Sequence, residues 1–167
     1  MVQFNEWCDS ADVPLGNNHV RLMTGRPTHA AVAIQTTAAV VPTHYASEER
    51  IARALQRLGK PAAAQLIIDS LPQTAQIRSG DLGEIYATEW LNAHSGYRAP
   101  IKRLRWKDHR SMAMRGDDVI GLILDPITHR LRFLKTEAKS RVTLRAQTLK
   151  EARTGLDKDG DRSNGLK

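Results

Sequence analysis

Two short acidic motifs in the second half of the chain have the composition of a metal site. Residues 116–118 (GDD) open one apolar run, and residues 137–139 (EAK) close the next. If the two runs pair as a hairpin whose turn is centred between residues 127 and 128, Asp118 lies opposite Glu137. Directly opposed side chains have Cβ atoms about 4.5–5.5 Å apart, so the two carboxylates could share one Mg²⁺ ion.

Lys139 lies two residues beyond Glu137, on the same face of the strand and about 6.6 Å along it. A lysine there could orient a water molecule or neutralise charge that develops on a phosphate. A bound metal ion polarises a phosphate and lowers the pKa of a bound water, so the pattern indicates phosphodiester hydrolysis. Two other interpretations remain open: a register slip of one residue would bring in Asp117 instead of Asp118, and an acid-x-Lys pattern also arises by chance in a chain with 18 acidic residues.

Both motifs lie within the basic part of the chain. The net charge is +7, and residues 98–145 contain 13 of the 25 basic residues but only 5 of the 18 acidic ones. All of the excess positive charge therefore lies in this window. Clustered cations hold a nucleic-acid backbone without reading its sequence, although a basic run also occurs as an ordinary solvated face. The predicted phosphate contacts are Arg103, Arg105, Lys107 and Arg115.

Composition excludes several classes of protein. The single cysteine, Cys8, cannot form an intrachain disulfide or a cysteine-rich zinc site. The N-terminal sequence has acids in place of the basic and apolar regions of a signal peptide. The longest apolar stretch, residues 30–41, is too short and too polar to span a bilayer. We therefore expect a cytoplasmic protein without a membrane segment.

The distribution of apolar and turn residues predicts a mixture of strands and helices. The predicted strands are residues 19–24, 30–41, 101–107, 117–124 and 131–138. The predicted helices are residues 47–58, 62–70, 80–93 and 144–153. The chain beyond Gly155 is polar and has no predicted element. The order from residue 80 onward is therefore helix, strand, strand, strand, helix.

This order, with the acids and the lysine placed on it, resembles the PD-(D/E)xK nuclease fold, whose core is helix, three strands, helix and strand. The sequences GDLGEIYATEWL, RGDDVIGLIL and LKTEAKS are similar to the HamA family, the effector nucleases of the bacterial Hachiman anti-phage system. The resemblance covers residues 79–153. It implies an α/β chain in three parts: an N-terminal α/β extension at 1–78, a restriction-endonuclease-like core at 79–153, and a polar tail at 154–167.

The resemblance also assigns roles to individual residues. Asp118 and Glu137 match the metal ligands, and the backbone carbonyl of Ala138 would be a further ligand. Lys139 matches the catalytic lysine. Glu84 matches the acid on the first helix.

Three points in this assignment are less direct. Gln147, on the last predicted helix, is a weaker candidate for positioning the substrate. Helical projection places Glu89, not Glu84, inside the apolar arc of its helix, so Glu89 is the alternative there, or else a partly buried acid paired with an arginine. The last strand of the family core is missing after Gly155, which predicts that the chain is a fragment or a split product.

These observations together predict a Mg²⁺- or Mn²⁺-dependent deoxyribonuclease. The resemblance further implies a role in anti-phage defence with a helicase partner, HamB. One alternative is a non-catalytic nucleic-acid-binding module that kept the nuclease scaffold. Another is a different enzyme of the same fold, such as a restriction endonuclease or a junction resolvase. Competent side chains at all four site positions favour the enzyme over the module.

Overall fold

The structure of the protein is a computed structural model that describes residues 1–114 and 116–157. Its strands are β1 (Cys8–Leu15), β2 (Asn18–Gly25), β3 (Val119–Leu124) and β4 (Leu131–Thr136). Its helices are α1 (Ala30–Tyr45), α2 (Glu48–Ser70), α3 (Ala75–His94) and α4 (Ala146–Asp157). The described residues therefore form a mixed α/β protein, and none of their helices has the length and apolar character needed to cross a membrane.

The N-terminal strands form an antiparallel hairpin. Leu15 pairs with Asn18 across a two-residue turn, and Gly16 takes the positive φ of +59° that such a turn requires at its first position. The prediction of a strand at 19–24 is confirmed by β2. Its partner β1 was not predicted, because Pro14 and two aspartates make that stretch look like a turn.

The prediction of a strand at residues 30–41 is wrong, because this stretch forms most of α1. Alanine supplies five of the twelve residues, and its helix propensity outweighs the β-branched residues between them. The two helices predicted on either side of Gly59 are confirmed within α2. Ser47 caps this helix by accepting a hydrogen bond from the Arg50 amide at 3.2 Å, and Gly59 interrupts it with a φ of +81°.

The second hairpin has the predicted register. Leu124 pairs with Leu131, and Val119 pairs with Thr136. The Asp125 carboxylate closes the turn by accepting hydrogen bonds from the amides of Ile127 and Thr128 at 2.9 Å. Both strands stop short of the acidic motifs, which are left on irregular backbone at the open end of the hairpin.

The prediction of a third core strand at residues 101–107 is wrong. Arg103–Trp106 forms a 3₁₀ turn, and β3 receives on its second edge only one antiparallel bridge, between Arg98 and Leu122. In the described residues the hairpin is therefore a two-stranded sheet with one bridging residue. The segment leaves the sheet because Leu104 is buried and the neighbouring cations turn toward α3.

The α3 helix extends the predicted helix at 80–93 and connects the two parts of the core. Ile85 packs in one apolar cluster with Val2, Phe4, Val40, Tyr45 and Leu104. Leu91 packs in a second cluster with Ala99 and Val119. The α4 helix begins and ends later than predicted, and residues 158–167 of the predicted tail lie outside the described residues.

The contact between α3 and β3 depends on a glycine. A Cβ atom at Gly121 would lie 2.8 Å from Leu91 Cδ2 and 3.1 Å from Tyr97 Cβ. We expect Gly121→Ala to lower the free energy of unfolding by about 1–3 kcal/mol, because a methyl group must push these side chains apart. Urea denaturation measures the change.

Gly80 provides the matched control. It lies within α3, and a Cβ atom there meets nothing within 4 Å. We expect Gly80→Ala to leave the free energy of unfolding unchanged or raise it by up to about 1 kcal/mol, through helix propensity. Equal stability of Gly121→Ala and the parent chain would contradict the packing of α3 on β3.

Candidate functional site

The two acidic motifs meet at the open end of the β3–β4 hairpin. Asp118 comes directly before β3, and Glu137 directly follows β4. The Asp118 Oδ2 atom accepts a hydrogen bond from the Ala138 amide at 2.8 Å. Asp117 instead forms an ion pair with Lys135 at 2.8 Å. The register therefore brings Asp118, and not Asp117, to the Glu-x-Lys segment.

Glu84 on α3 lies beside Asp118, and one arginine joins the two acids. Arg103 Nε lies 2.9 Å from Glu84 Oε1, and Arg103 Nη2 donates a hydrogen bond to Asp118 Oδ1 at 2.7 Å. Burial raises the pKa of Glu84; the Arg103 guanidinium opposes this rise, and the nearby Asp118 carboxylate adds to it. Of the two candidate acids on α3, Glu84 is thus the one that shares a partner with Asp118.

Glu137 and Lys139 point to the same side of the chain, as their spacing predicts. The Lys139 ammonium donates a hydrogen bond to Glu137 Oε1. The α4 helix presents a glycine here, since a Cβ atom at Gly155 would lie only 2.6 Å from the same oxygen. The close approach of α4 therefore fixes the space in which the Glu137 carboxylate can move.

The segment that follows Glu137 is held from the other side by α3. A Cβ atom at Gly83 would lie 3.3 Å from Ser140 Cβ, and the hydroxyl oxygens of Ser79 and Ser140 lie 2.7 Å apart. Small residues on α3 thus let the helix approach this backbone closely. This close approach of α3 brings Glu84, the predicted helix acid, near the Glu-x-Lys motif.

The possible metal ligands of this site are carboxylate and carbonyl oxygens. These are hard ligands, which Mg²⁺ prefers. In residues 1–114 and 116–157, however, no three His, Cys, Asp or Glu side chains lie close enough together to hold a metal ion. The carboxylates of Glu84 and Asp118 contact Arg103, and that of Glu137 contacts Lys139. The oxygen ligands are of the type that binds Mg²⁺. In the structure, the positive charge beside them comes from Arg103 and Lys139.

Three of the predicted phosphate contacts point into the protein. Lys107 Nζ donates hydrogen bonds to both Asp81 carboxylate oxygens, at 2.6 and 2.7 Å, and its side chain is only 5% exposed. Arg105 donates two hydrogen bonds to the Thr43 carbonyl. Arg103 is bound to the acids of the site. For Lys107 and Arg103 the physical reason is that α3 buries carboxylates that need counter-charges.

Two other predicted substrate contacts remain. Arg115 lies outside the described residues. Gln147 is exposed on α4, where its amide nitrogen lies 3.4 Å from Glu151 Oε1. Among the described residues, Gln147 has no contact with the acids of the site.

Sequence reasoning missed the buried partners of α3. Tyr45 donates a hydrogen bond to Asp81 Oδ2 at 2.6 Å. Glu89 accepts one from the Val2 amide at 3.1 Å, and its Oε1 lies 2.8 Å from His44 Nε2. The spacing of Asp81, Glu84 and Glu89 places three acids along one side of a helix, which indicates that buried partners exist but does not identify them.

The His44–Glu89 pair gives stability a pH dependence. Burial lowers the pKa of His44 below its ordinary value, and the hydrogen bond to Glu89 opposes this shift. As the pH falls from about 7.5 to 5.5, the unfolded chain therefore takes up a proton that the folded chain resists. We expect the free energy of unfolding to fall over this range in the parent chain and to fall less in His44→Gln.

Urea denaturation at several pH values measures this difference. His19→Gln is the control, because His19 is exposed on β2, and it should keep the pH dependence of the parent. The expectation would be wrong if His44→Gln and the parent lost stability in parallel.

Comparison with known proteins places the chain among relatives. Residues 1–166 match the family model described as HamA. The chain is also 29% identical to the Hachiman protein HamA of Bacillus cereus over 125 residues, which make up 72% of this chain and 44% of that protein. The chain thus spans less than half the length of this relative. Because the family model covers nearly every residue, the chain belongs to the HamA family.

Proposed function

We propose that this chain carries the active site of a metal-dependent DNA nuclease that acts in anti-phage defence. Membership of the HamA family supports the defence role. The observation that carries the nuclease activity is the meeting of Glu84, Asp118 and the Glu137–Lys139 segment around the end of one hairpin. These groups come from a helix and from the two segments that flank a hairpin, and a solvated charge run would have no reason to bring them together.

Each residue then has a chemical role. Asp118 and Glu137 hold Mg²⁺ or Mn²⁺, with the Ala138 carbonyl as a further ligand. The bound metal supplies a Lewis acid that polarises the scissile phosphate and activates a water. Lys139 orients that water or stabilises the charge that develops on the phosphate. Glu84 holds Arg103 beside the site.

Three of the predicted phosphate contacts turn inward in the structure, so other cations must contact most of the DNA backbone. Several arginines of the same basic window are exposed, including two on the hairpin and two between β4 and α4. They are Arg130, Arg132, Arg141 and Arg145. These residues can release counterions from DNA, so binding weakens steeply as salt is raised. A helicase partner, HamB, belongs to the same proposal; it would sense DNA and restrain or release the nuclease.

A second candidate function is a DNA-binding module without catalysis. It is favoured by the ion pairs of the site, because Arg103 and Lys139 occupy carboxylate oxygens that a metal would need. The two functions share the basic surface and differ in whether a phosphodiester bond is broken. A cleavage assay therefore separates them.

We expect the full chain, with and without the HamB helicase, to degrade plasmid DNA in Mg²⁺ or Mn²⁺ and to be inactive in EDTA. Asp118→Asn and Glu137→Gln should each lower the rate by at least about 100-fold, since even the groups that merely support metal ligands are worth 10–100-fold. Lys139→Met should lower it by about 100-fold or more, the typical size of a lost group that stabilises charge in the transition state. Gel electrophoresis of the plasmid measures the rate.

Asp117→Asn is the matched control, because Asp117 is the neighbouring acid and pairs with Lys135 away from the Glu-x-Lys segment. It should cleave at the rate of the parent chain. Equal cleavage by Glu137→Gln and the parent would refute the site. Salt-sensitive DNA binding by the parent, with no cleavage in either metal or with the helicase, would establish the binding module instead.

A further inference from the structure

We propose that Arg103 is a latch on the metal site: it occupies Glu84 and Asp118 when DNA is absent and moves to a DNA phosphate when the metal binds. This inference rests on the proposed nuclease function and adds a regulatory step to it. It assigns to one arginine both the observed contact with two carboxylates and the phosphate contact that the sequence predicts.

The latch is a fork that holds two acids from different elements. Arg103 Nε lies 2.9 Å from Glu84 Oε1 on α3, and Nη2 donates to Asp118 Oδ1 at 2.7 Å before β3. The Asp118 side chain is 18% exposed and the Glu84 side chain only 10%, so the Asp118 end of the fork is the more open to solvent. The Asp118 end of the fork can therefore be exchanged while Nε stays on Glu84.

The backbone beneath the latch is fixed. Leu104 is 3% exposed in the apolar core. Lys102 donates to the Thr43 hydroxyl at 2.8 Å, and Arg105 donates to the Thr43 carbonyl at 2.7 Å. Lys102 and Arg105, on either side of Arg103 and Leu104, are thus tied to the end of α1, and any exchange of partners is confined to the Arg103 side chain.

Arg103 competes with a metal for the same oxygen. Asp118 Oδ2 already accepts the Ala138 amide, which joins the two motifs. Oδ1 is the oxygen held by the latch. A metal ligated by Asp118 at Oδ1 needs the guanidinium to leave it, because the ion and the N–H group would otherwise approach the oxygen from one side.

The charges of the site couple the metal to DNA. Glu84, Asp118 and Glu137 oppose Arg103 and Lys139, which leaves a formal charge of −1. A divalent ion turns this into +1, and one DNA phosphate restores neutrality. A guanidinium released from Asp118 is well suited to bind that phosphate through two hydrogen bonds. Metal and DNA therefore raise each other's affinity, as linkage requires of two coupled sites.

Calcium binding tests the latch without catalysis. Isothermal titration calorimetry with Ca²⁺ compares the parent, Arg103→Gln, Arg105→Gln and Asp118→Asn, with circular dichroism as a check on folding. We expect Arg103→Gln to bind Ca²⁺ about tenfold more tightly than the parent and Asp118→Asn to lose binding. Arg105→Gln is the matched control, because it removes a nearby guanidinium that donates to the Thr43 carbonyl and not to an acid of the site. This variant should bind Ca²⁺ as tightly as the parent does.

A short DNA duplex completes the experiment. It should raise the Ca²⁺ affinity of the parent and have less effect on Arg103→Gln, which has no latch to release. If Arg103→Gln does not fold, Arg103→Lys keeps the charge without the fork and should bind Ca²⁺ more tightly than the parent. Equal or weaker binding by the folded latch variant would overturn the latch alone, whereas absence of Ca²⁺ binding in every variant, with or without DNA, would overturn the proposed metal-dependent function.

Discussion

Three carboxylates buried along α3 set the constraint on which the rest of the structure depends. Asp81, Glu84 and Glu89 are 6%, 7% and 4% exposed, and an unpaired charge at such positions costs about 3–5 kcal/mol. The segment that follows α3 must therefore place cationic side chains next to these acids. Lys107, Arg103 and Lys102 come to the three acids in turn, with Lys102 at the longest distance, 3.9 Å. This requirement keeps residues 102–107 off the sheet and leaves a single bridge where a strand was predicted.

The burial of these acids also changes how the excess positive charge of residues 98–145 is interpreted. This window's charge of +8 suggests a surface for a polyanion, yet three of its cations neutralise acids that belong to the nearly neutral remainder of the chain. Net charge by itself does not distinguish a cation that faces DNA from one that faces a buried carboxylate. Only burial makes that distinction, and it leaves the hairpin and the segment after β4 as the exposed basic surface.

The sequence predicted well those features whose causes are local or periodic. The β3–β4 register followed from two apolar runs and a turn at Asp125, and the interruption of α2 followed from Gly59. The prediction failed where tertiary demands or composition outweighed the local pattern. Residues 101–107 alternate like a strand, but the acids of α3 determine their path. Residues 30–41 contain β-branched residues, but their alanines make this stretch helical. For the site, the choice between Glu84 and Glu89 depends on partners such as His44 that no spacing reveals.

The contact between Val2 and Glu89 has a consequence for how the chain acquires its fold during synthesis. The ion pairs between α3 and residues 102–107 join residues at most 26 positions apart, and they can form as soon as Lys107 leaves the ribosome. The Val2 amide must wait until residue 89 has emerged, because 87 positions separate the two partners. Val2 and Phe4, which pack against Ile85 of α3 in the main apolar cluster, are made well before that helix. The nascent chain therefore keeps these two apolar side chains without their partner on α3 for as long as α3 is unfinished.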